Sequence, residues 1–228
     1  MVLAVGALLA MLAGFVVLLV AAVVALVLAV VAYLFADRVV LSLSHARPAL
    51  ADEEPRYHNL VEGLCVSAGL PKPELYLIDD DAPNSFATGR SPAHAAIVVT
   101  TGLLQKLSRM ELEGVLAHEL SHIRSNDTLV TSLGTALVGL PLLPAGPLAG
   151  RLLASLVGRS RERDADIGGV TLTRYPPGLA AALEKVRRNG PSAVPASRAT
   201  AHLWISSPLD ADDGPTRLEA RIAALREM

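Results

Sequence analysis

The polar and apolar positions divide the chain into two long apolar stretches and several amphipathic segments. Residues 1–36 contain no charged side chain, and about 20 apolar residues are enough for a helix to span a bilayer. We therefore predict one tilted transmembrane helix over 1–36. A cleaved signal peptide is the alternative, but it requires a basic start, a shorter apolar core and a clear cleavage site, and none of these is convincing. The pattern favours a retained membrane anchor.

Basic residues follow this stretch and, apart from the amino terminus, none precedes it. Arg38 and Arg47 are the first of them. By the positive-inside rule, the domain that follows the anchor is expected to face the cytoplasm. We therefore expect a protein of the cell (inner or plasma) membrane, with the lipid bilayer as one of its partners.

The second apolar stretch covers 128–158, and Arg151 is its single charged residue. Pro141, Pro144 and Pro147 divide it into two arms, each too short to cross a bilayer alone. The pattern predicts a hairpin that either enters one leaflet or is buried in the protein. If residues before and after it act together, the chain must return to the side of the membrane that it left.

The remaining segments predict a mostly helical α+β domain with a small β-sheet. This domain is expected over 53–228, interrupted by the hairpin 128–158 and joined to the anchor by a juxtamembrane linker, 37–52. Ser108 and Glu111 form a predicted capping box at the start of one helix. The predicted helices are 52–68, a short one around 103–107, 108–125, 160–174, 178–188 and 216–227, and the predicted strands are 74–78, 85–88 and 95–100.

Composition excludes some classes of function. The formal net charge is -2, and no basic cluster interleaved with aromatic residues is present, so nucleic acid is not an expected partner. Cys65 is the single cysteine, which excludes an internal disulfide framework and fits a reducing compartment. The sequence does not indicate an oligomeric state.

The main chemical feature is the segment Leu116-Ala117-His118-Glu119-Leu120-Ser121-His122-Ile123. Histidines four apart share one helix face, with Cβ atoms about 5–6 Å apart, so both can bind one metal ion. Glu119 is rotated by about 100° from His118 and can take a proton from a water on the metal. This H-E-x-x-H arrangement is a zinc-hydrolase signature. A helix that carries these residues by chance is the alternative, but its apolar stripe predicts burial, and buried His and Glu require partners.

A catalytic zinc ion takes three protein ligands and leaves one position for water, so a third ligand is expected after His122. Glu162 stands out because Asp166 lies four residues later on the same helix face, where it could accept a hydrogen bond from a ligand histidine. Asp127 is a further candidate for such an outer partner. On spacing alone the third ligand stays open among Asp127, Glu162, Asp164, Asp166 and His202.

Two motifs together resemble the HtpX family of membrane-bound zinc metallopeptidases, relatives of the CAAX prenyl endopeptidases. They are Leu116–Asp127 and Glu162-Arg163-Asp164-Ala165-Asp166, which matches the family's E-x-x-A-D motif. The resemblance covers about 53–222 and implies a zincin-type (gluzincin) fold. It also implies one catalytic Zn²⁺ with His118, His122 and Glu162 as ligands, and Glu119 as the catalytic base.

The resemblance implies hydrolysis of peptide bonds in a protein or peptide substrate, with misfolded or membrane proteins as the expected class. Asn84-Ser85-Phe86-Ala87-Thr88-Gly89 resembles the family's N-A-F-A-T-G segment, with serine in place of alanine. Asn84, Ser85, Phe86 and Ala87 are therefore the expected substrate-binding residues, since an edge strand can bind an extended peptide through backbone hydrogen bonds. An ordinary internal strand is the alternative.

The chain departs from the family pattern in two places. Gly214-Pro215 precedes Arg221-Ile222, where the family usually carries His-Pro. If the family histidine stabilises the transition state, another group must do so here, and Arg221 and Arg217 are candidates; solvated helix residues are the alternative for both. Many HtpX proteins also have four clear transmembrane helices, whereas this chain has one clear anchor.

Other functions are compatible with the same residues. One is a membrane scaffold that holds zinc structurally, and another is a processing peptidase of narrow specificity. Glu119 argues against the scaffold, because a structural zinc site needs no base and normally closes its fourth position.

Overall fold

The computed structural model describes residues 2–129, 131–132, 159–190, 203–206 and 214–228. The chain divides into two compact units, one up to Phe35 and one from Ala36 onward. Most of the predicted hairpin 128–158 lies outside the described residues. Helix α1 covers Val2–Leu43, and its part Met11–Leu43 is long and apolar enough to cross a membrane. This agrees with a membrane-spanning segment near the amino terminus.

The second unit is mostly helical with a small mixed sheet, which confirms the α+β prediction. The strands are β1 (Arg47–Pro48), β2 (Glu74–Ile78), β3 (Ser85–Ser91) and β4 (His94–Thr100). The helices after α1 are α2 (Pro55–Ala68), α3 (Thr101–Lys106), α4 (Arg109–Arg124), α5 (Arg159–Thr173), α6 (Pro176–Asn189) and α7 (Gly214–Arg226).

The sheet has the strand order β1-β2-β4-β3. β4 pairs antiparallel with β3 and parallel with β2, and β1 pairs antiparallel with β2. Side chains alternate between the two faces of each strand. Leu77, Ala87 and Ile97 belong to the larger core cluster that also contains the apolar residues of α2 and α4. β3 is thus one of the two edge strands of the sheet, the other being β1, and one face of β3 lies beneath α4.

The predicted juxtamembrane linker, 37–52, contains regular secondary structure. Helix α1 continues into it as far as Leu43, and β1 follows at Arg47–Pro48. Val40 is fully buried and belongs to a second core cluster with Phe86 and Trp204. Apolar packing of this kind stabilises a helical turn that propensity alone would leave marginal. The segment after the apolar stretch is therefore part of the folded unit.

Helix α4 is the central element of this unit. At its start, the backbone N–H of Ser108 donates to Oε2 of Glu111 over 2.6 Å, and the reciprocal bond completes the capping box. Most residues of this helix are buried, and five of them are large and apolar, namely Leu112, Val115, Leu116, Leu120 and Ile123. Polar side chains on this helix are consequently held in an environment with little water.

Glycines allow α5 to approach α4 closely. A Cβ atom at Gly169 would lie 2.8 Å from the backbone nitrogen of His118, and one at Gly168 would lie 2.0 Å from Oγ of Ser121. Real side chains do not fit at such distances, so any larger residue at Gly169 would push the two helix backbones apart. Gly169 therefore allows the short separation between the two helices that carry the candidate metal ligands, and Gly168 leaves room for the side chain of Ser121.

Candidate metal centre

Two histidines of α4 form the first part of the site. The imidazole rings of His118 and His122 lie with their centroids 4.8 Å apart and their planes at 87°. His118 is buried and His122 is partly exposed. The i and i+4 spacing thus brings both rings to one position, as helical geometry requires.

Glu162, in the first turn of α5, reaches the same position from the second helix. Its Oε1 lies 3.4 Å from Nε2 of His122, and its Oε2 lies 3.7 Å from Nε2 of His118. A tetrahedral ion with bonds of about 2.0–2.1 Å separates its ligand atoms by about 3.4 Å. Ligand atoms from His118, His122 and Glu162 all lie within 4.8 Å of one another. The donor set therefore fits one metal ion.

The second nitrogen of each histidine faces a different carboxylate. Nδ1 of His118 lies 2.9 Å from Oδ1 of Asp166, and Nδ1 of His122 lies 3.5 Å from Oδ2 of Asp127. Carboxylates in this position fix the tautomer and the orientation of a metal-binding imidazole. Both rings therefore present Nε2 to Glu162, and Asp166 and Asp127 lie behind the candidate ligands.

Arg221 of α7 connects the carboxylates of α5. Its Nε and Nη2 donate to the two carboxylate oxygens of Asp166 over 2.8 and 2.7 Å. Its Nη1 donates to the carbonyl of Ile205 over 3.2 Å and lies 2.9 Å from Oε2 of Glu162. A two-pronged guanidinium–carboxylate pair fixes orientation as well as charge. Arg221 thus holds the helix that presents Glu162.

Glu119 lies beside the two histidines and is almost fully buried, with 2% of its surface exposed. Its Oε1 accepts a hydrogen bond of 2.6 Å from the hydroxyl of Ser85, which is itself fully buried on β3. Burial raises the pKa of the Glu119 carboxyl, and the charges of His118 and His122 only partly offset this effect. The carboxyl therefore binds a proton more readily than an exposed glutamate.

The site strongly favours positive charge. Burial lowers the pKa of His122, but the carboxylates of Asp127 and Glu162 outweigh it and raise that pKa to about 10. Burial raises the pKa of Glu162 and of Asp166, but the positive charge of Arg221 outweighs it, so the pKa of Glu162 lies well below its usual value and that of Asp166 is lowered. Carboxylates that hold a proton on an imidazole also attract a metal cation, which then competes with that proton.

The predicted substrate segment 84–87 is at the start of β3, but its side chains are engaged within the protein. The side-chain Nδ2 of Asn84 donates to the carbonyl of Ser206 over 2.8 Å, and its Oδ1 accepts from the N–H of Ser206 over 3.2 Å. Phe86 packs edge to face on Trp204, with ring centroids 5.0 Å apart.

The outer backbone edge of β3 is partly occupied. The carbonyl of Ser85 accepts from the N–H of Ile205 over 2.9 Å, and the N–H of Gly89 donates to Oγ of Ser132 over 3.1 Å. Backbone groups that face outward alternate along an antiparallel edge strand, so Ala87 is the outward-facing residue between these two. Among the described residues, no partner for the outward groups of Ala87 is recorded.

Of the remaining candidates from the sequence, Asp164 is not part of the ligand cluster formed by the described residues. Asp164 is exposed on α5, and His202 and the side chain of Arg217 lie outside the described residues. Sequence reasoning missed three features of the site: the glycine pair Gly168–Gly169, the hydrogen bond from Ser85 to Glu119, and the contact of Asn84 with Ser206. Consecutive glycines inside a helical pattern were a usable signal, because such glycines usually have a packing reason.

One family model and several known proteins match most of this chain. The model of peptidase family M48 matches residues 51–228. A "Protease HtpX homolog" of Tropheryma whipplei (strain Twist) is 37% identical over an alignment of 235 positions, gaps included, that takes in 86% of this chain and 80% of that protein. The homologue of Paraburkholderia phytofirmans is 35% identical, covering 86% and 82%. That of Dictyoglomus thermophilum is 37% identical over an alignment of 208 positions, covering 78% and 69%.

Proposed function

The chain belongs to peptidase family M48, within its HtpX group, and from that premise we propose that it is a zinc-dependent endopeptidase of the cell membrane. Membership makes it a membrane-associated metallopeptidase that acts on proteins. The observation that carries the finer proposal is the cluster of His118, His122 and Glu162, with the buried Glu119 next to it. Two ligand histidines, a third ligand and a base are the parts that zinc-assisted hydrolysis requires.

His118 and His122 would hold the zinc ion through Nε2, and Glu162 through a carboxylate oxygen. These are ligand types that zinc takes in catalytic sites. When bound, such an ion polarises a carbonyl oxygen and lowers the pKa of water from 15.7 toward about 7. Asp166 and Asp127 would keep the two imidazole rings in the orientation that binding needs.

Glu119 is the proposed general base and acid. Its carboxylate accepts a proton from the attacking water, whose oxygen forms a bond to the carbonyl carbon of the substrate. When the C–N bond breaks, Glu119 returns that proton to the departing amine. The raised pKa of Glu119 supports this role, because the carboxyl must hold the proton between the two steps.

Arg221 was expected from the sequence to stabilise the transition state, and that role stays a prediction. Each of its three guanidinium nitrogens already has a partner in Asp166 or Ile205. We favour a different role, in which Arg221 positions Asp166 and Glu162. A guanidinium that spans both carboxylates keeps α5 in the position from which Glu162 reaches the histidines.

An extended stretch of substrate is proposed to pair with the outer edge of β3 at Ala87. Backbone pairing recognises a peptide with little regard to its side chains, which suits unfolded regions of misfolded or membrane proteins. The outward backbone groups on either side of Ala87 already bond Ile205 and Ser132. The strand would therefore form hydrogen bonds with only a short stretch of substrate backbone. The bilayer anchor α1 and the basic residues after it support a site on the cytoplasmic side.

The test is hydrolysis of unfolded casein by the full chain purified in detergent, with zinc content measured in the same samples. Glu119→Gln removes the base but keeps the shape of the side chain, and should lower turnover at least about 100-fold, the effect of a lost general base. Zinc content should stay equal to that of the wild type. Glu113→Gln on the same helix is the matched control and should leave both quantities unchanged.

The outcomes separate the alternatives. Zinc in both proteins without hydrolysis by either would contradict a general endopeptidase and favour a scaffold or a peptidase of narrow specificity. Hydrolysis that survives Glu119→Gln would contradict the proposed base. Absence of any metal from the folded wild type would overturn the proposal as a whole.

A further inference from the structure

The hydrogen bond between Ser85 and Glu119 joins the sheet to the proposed base. Ser85 begins β3, and its side chain, like that of Ala87, is directed to the face of the sheet beneath α4, whereas Phe86 packs on the opposite face against Trp204. Oγ of Ser85 donates to Oε1 of Glu119 over 2.6 Å. Both side chains are buried, so water does not compete for this contact.

A buried carboxylate requires hydrogen-bond donors, because it has lost those of water. Within the described residues, the hydroxyl of Ser85 is the donor recorded for Glu119. The neighbouring imidazoles of His118 and His122 face Glu162 with one nitrogen and an aspartate with the other. Ser85 therefore supplies the Glu119 carboxylate with a hydrogen-bond donor that the two imidazoles do not provide.

Ser85 is itself held in place on both sides. Its N–H donates to Oδ1 of Asn84 over 3.1 Å, and its carbonyl accepts from the N–H of Ile205 over 2.9 Å. The amide of Asn84 in turn makes two hydrogen bonds to the backbone of Ser206. The hydroxyl thus projects from a fixed backbone and acts as a rigid donor.

We propose that Ser85 is a positioning residue for the general base, an inference that rests on the proposed function. The terminal torsion of a glutamate side chain is broad, so an unbound carboxylate would rotate freely about it. A donor on Oε1 fixes the plane of the carboxylate and leaves Oε2 as the oxygen that accepts the proton of water and returns it to the amine. Ser85 itself touches neither water nor substrate in this role.

The first test is the kinetics of Ser85→Ala with unfolded casein. Ser85→Ala should lower kcat about tenfold, since a misplaced base retains part of its effect, and KM should stay within about twofold of the wild type. An interaction that acts in the chemical step alters kcat and kcat/KM equally. Zinc content should be unchanged, because Ser85 is not among the candidate ligands.

The control is Ser132→Ala. Ser132 is also a fully buried serine bonded to β3, but its partners are Thr88 and Gly89 at the other end of the strand. This substitution should lower the thermal midpoint and leave kcat unchanged, and any effect of freeing the outer N–H of Gly89 on substrate pairing should appear in KM. An equal fall of kcat in both variants would mean that Ser85 acts through the stability of the strand, and would overturn the inference.

The second test measures the contact without catalysis. Thermal unfolding of the full chain can be followed by the fluorescence of Trp204, the single tryptophan. Ser85→Ala should lower the midpoint by about 3 °C when Glu119 is present, as expected for loss of a hydrogen bond to a charged group. In the Glu119→Ala background the same change should be neutral or stabilising, because it removes an unpaired hydroxyl.

These tests separate the inference from the proposed function. If the wild type hydrolyses casein through Glu119 but Ser85→Ala has normal kcat, the inference is wrong and the function stands. If no variant is active, the function fails, and the two midpoints still decide whether the contact exists. Equal effects of Ser85→Ala in both backgrounds would overturn the inference in either case.

Discussion

The two halves of the candidate metal centre differ in how the chain builds them. His118, Glu119 and His122 lie within five positions of one helix, and helical geometry alone brings both imidazoles to one face. Glu162 and Asp166 come from α5, and Arg221 comes from α7. Their positions depend on how three helices pack. The first half is therefore set locally, and the second half is assembled by tertiary contacts.

This difference indicates which half of the site is sensitive to small shifts of a helix. In the local half, a substitution beside the motif leaves the spacing of the histidines intact. In the assembled half, a small shift of α5 moves Glu162 away from both rings at once. Two features resist such a shift: the close approach at Gly168–Gly169 and the bonds of Arg221 to Asp166. Substitutions at these features should separate the two halves experimentally.

The largest effect is expected from Gly169→Ala. The added methyl would lie 2.8 Å from the backbone nitrogen of His118, so α5 must move, and overpacking of this kind costs about 1–3 kcal/mol. A displacement of about 1 Å at a reacting site can cost about 100-fold in rate. We expect a loss of casein hydrolysis of that order, together with weaker zinc retention against a chelator.

Gly63→Ala is the matched control for that prediction. Gly63 is also inside a helix, but a Cβ atom there meets nothing within 4 Å. The substitution should stabilise the fold by about 0.5–1 kcal/mol through helix propensity and leave hydrolysis unchanged. Normal zinc retention and activity in Gly169→Ala would show that the separation of α4 and α5 does not control the site.

A smaller effect is expected from Arg221→Lys. Lysine keeps the positive charge but cannot bind both oxygens of Asp166 in the planar, two-pronged manner of arginine. Loss of an outer partner of a metal ligand typically costs about 10–100-fold in metal affinity or activity, and we expect about tenfold because the charge remains. Zinc affinity and casein hydrolysis measured on the same preparation check this.

Arg187→Lys serves as the control for charge and side-chain type. Arg187 pairs with Glu219 at the surface, where ion pairs contribute little, so neither measurement should change. If Arg221→Lys lowered kcat with no change in zinc affinity, positioning of the ligands would be contradicted. The role in the transition state that the sequence suggested would then be favoured.

The same division explains what the sequence could and could not predict. The bounds of α4, its capping box and the shared face of His118 and His122 follow from local pattern, and the structure agrees with them. Spacing left five candidates for the third ligand, because periodicity carries no information on how α5 crosses α4. The family resemblance singled out Glu162, and the structure brings Glu162 to the histidines.

The sequence pattern also could not predict contacts between distant parts of the chain. Asn84 was expected to bind substrate, yet its amide bonds Ser206, which is 122 positions away. Ser85 was expected to contribute strand backbone, yet its hydroxyl bonds Glu119. A polar residue next to a strand predicts exposure or hydrogen bonding but does not specify the partner. Only the packed structure resolves that choice.

The smallest effect is expected in the local half, from Glu111→Gln at the start of α4. Burial raises the pKa of Glu111, but hydrogen bonds from Lys185 and from the N–H of Ser108 outweigh it, and the pKa lies below its usual value. Glutamine can still accept the bond from Ser108, so the substitution isolates the charge. Because Lys185 is 38% exposed, its attraction is screened, and we expect a loss of about 0.5–1 kcal/mol in unfolding free energy at pH 7.

The pH dependence of that loss gives the sharper test. A carboxyl with a lowered pKa in the folded state stabilises the fold above its unfolded pKa of about 4.3, and this contribution disappears as the pH falls through the folded pKa. The difference in unfolding free energy between wild type and Glu111→Gln should therefore be constant at pH 6–8 and shrink as the pH falls from about 5 towards 3. Zinc content and hydrolysis at pH 7 should not change, because α4 holds its histidines by helical spacing alone. A loss of zinc on this substitution would mean that the helix start also sets the metal ligands, and that the local half depends on more than its own motif.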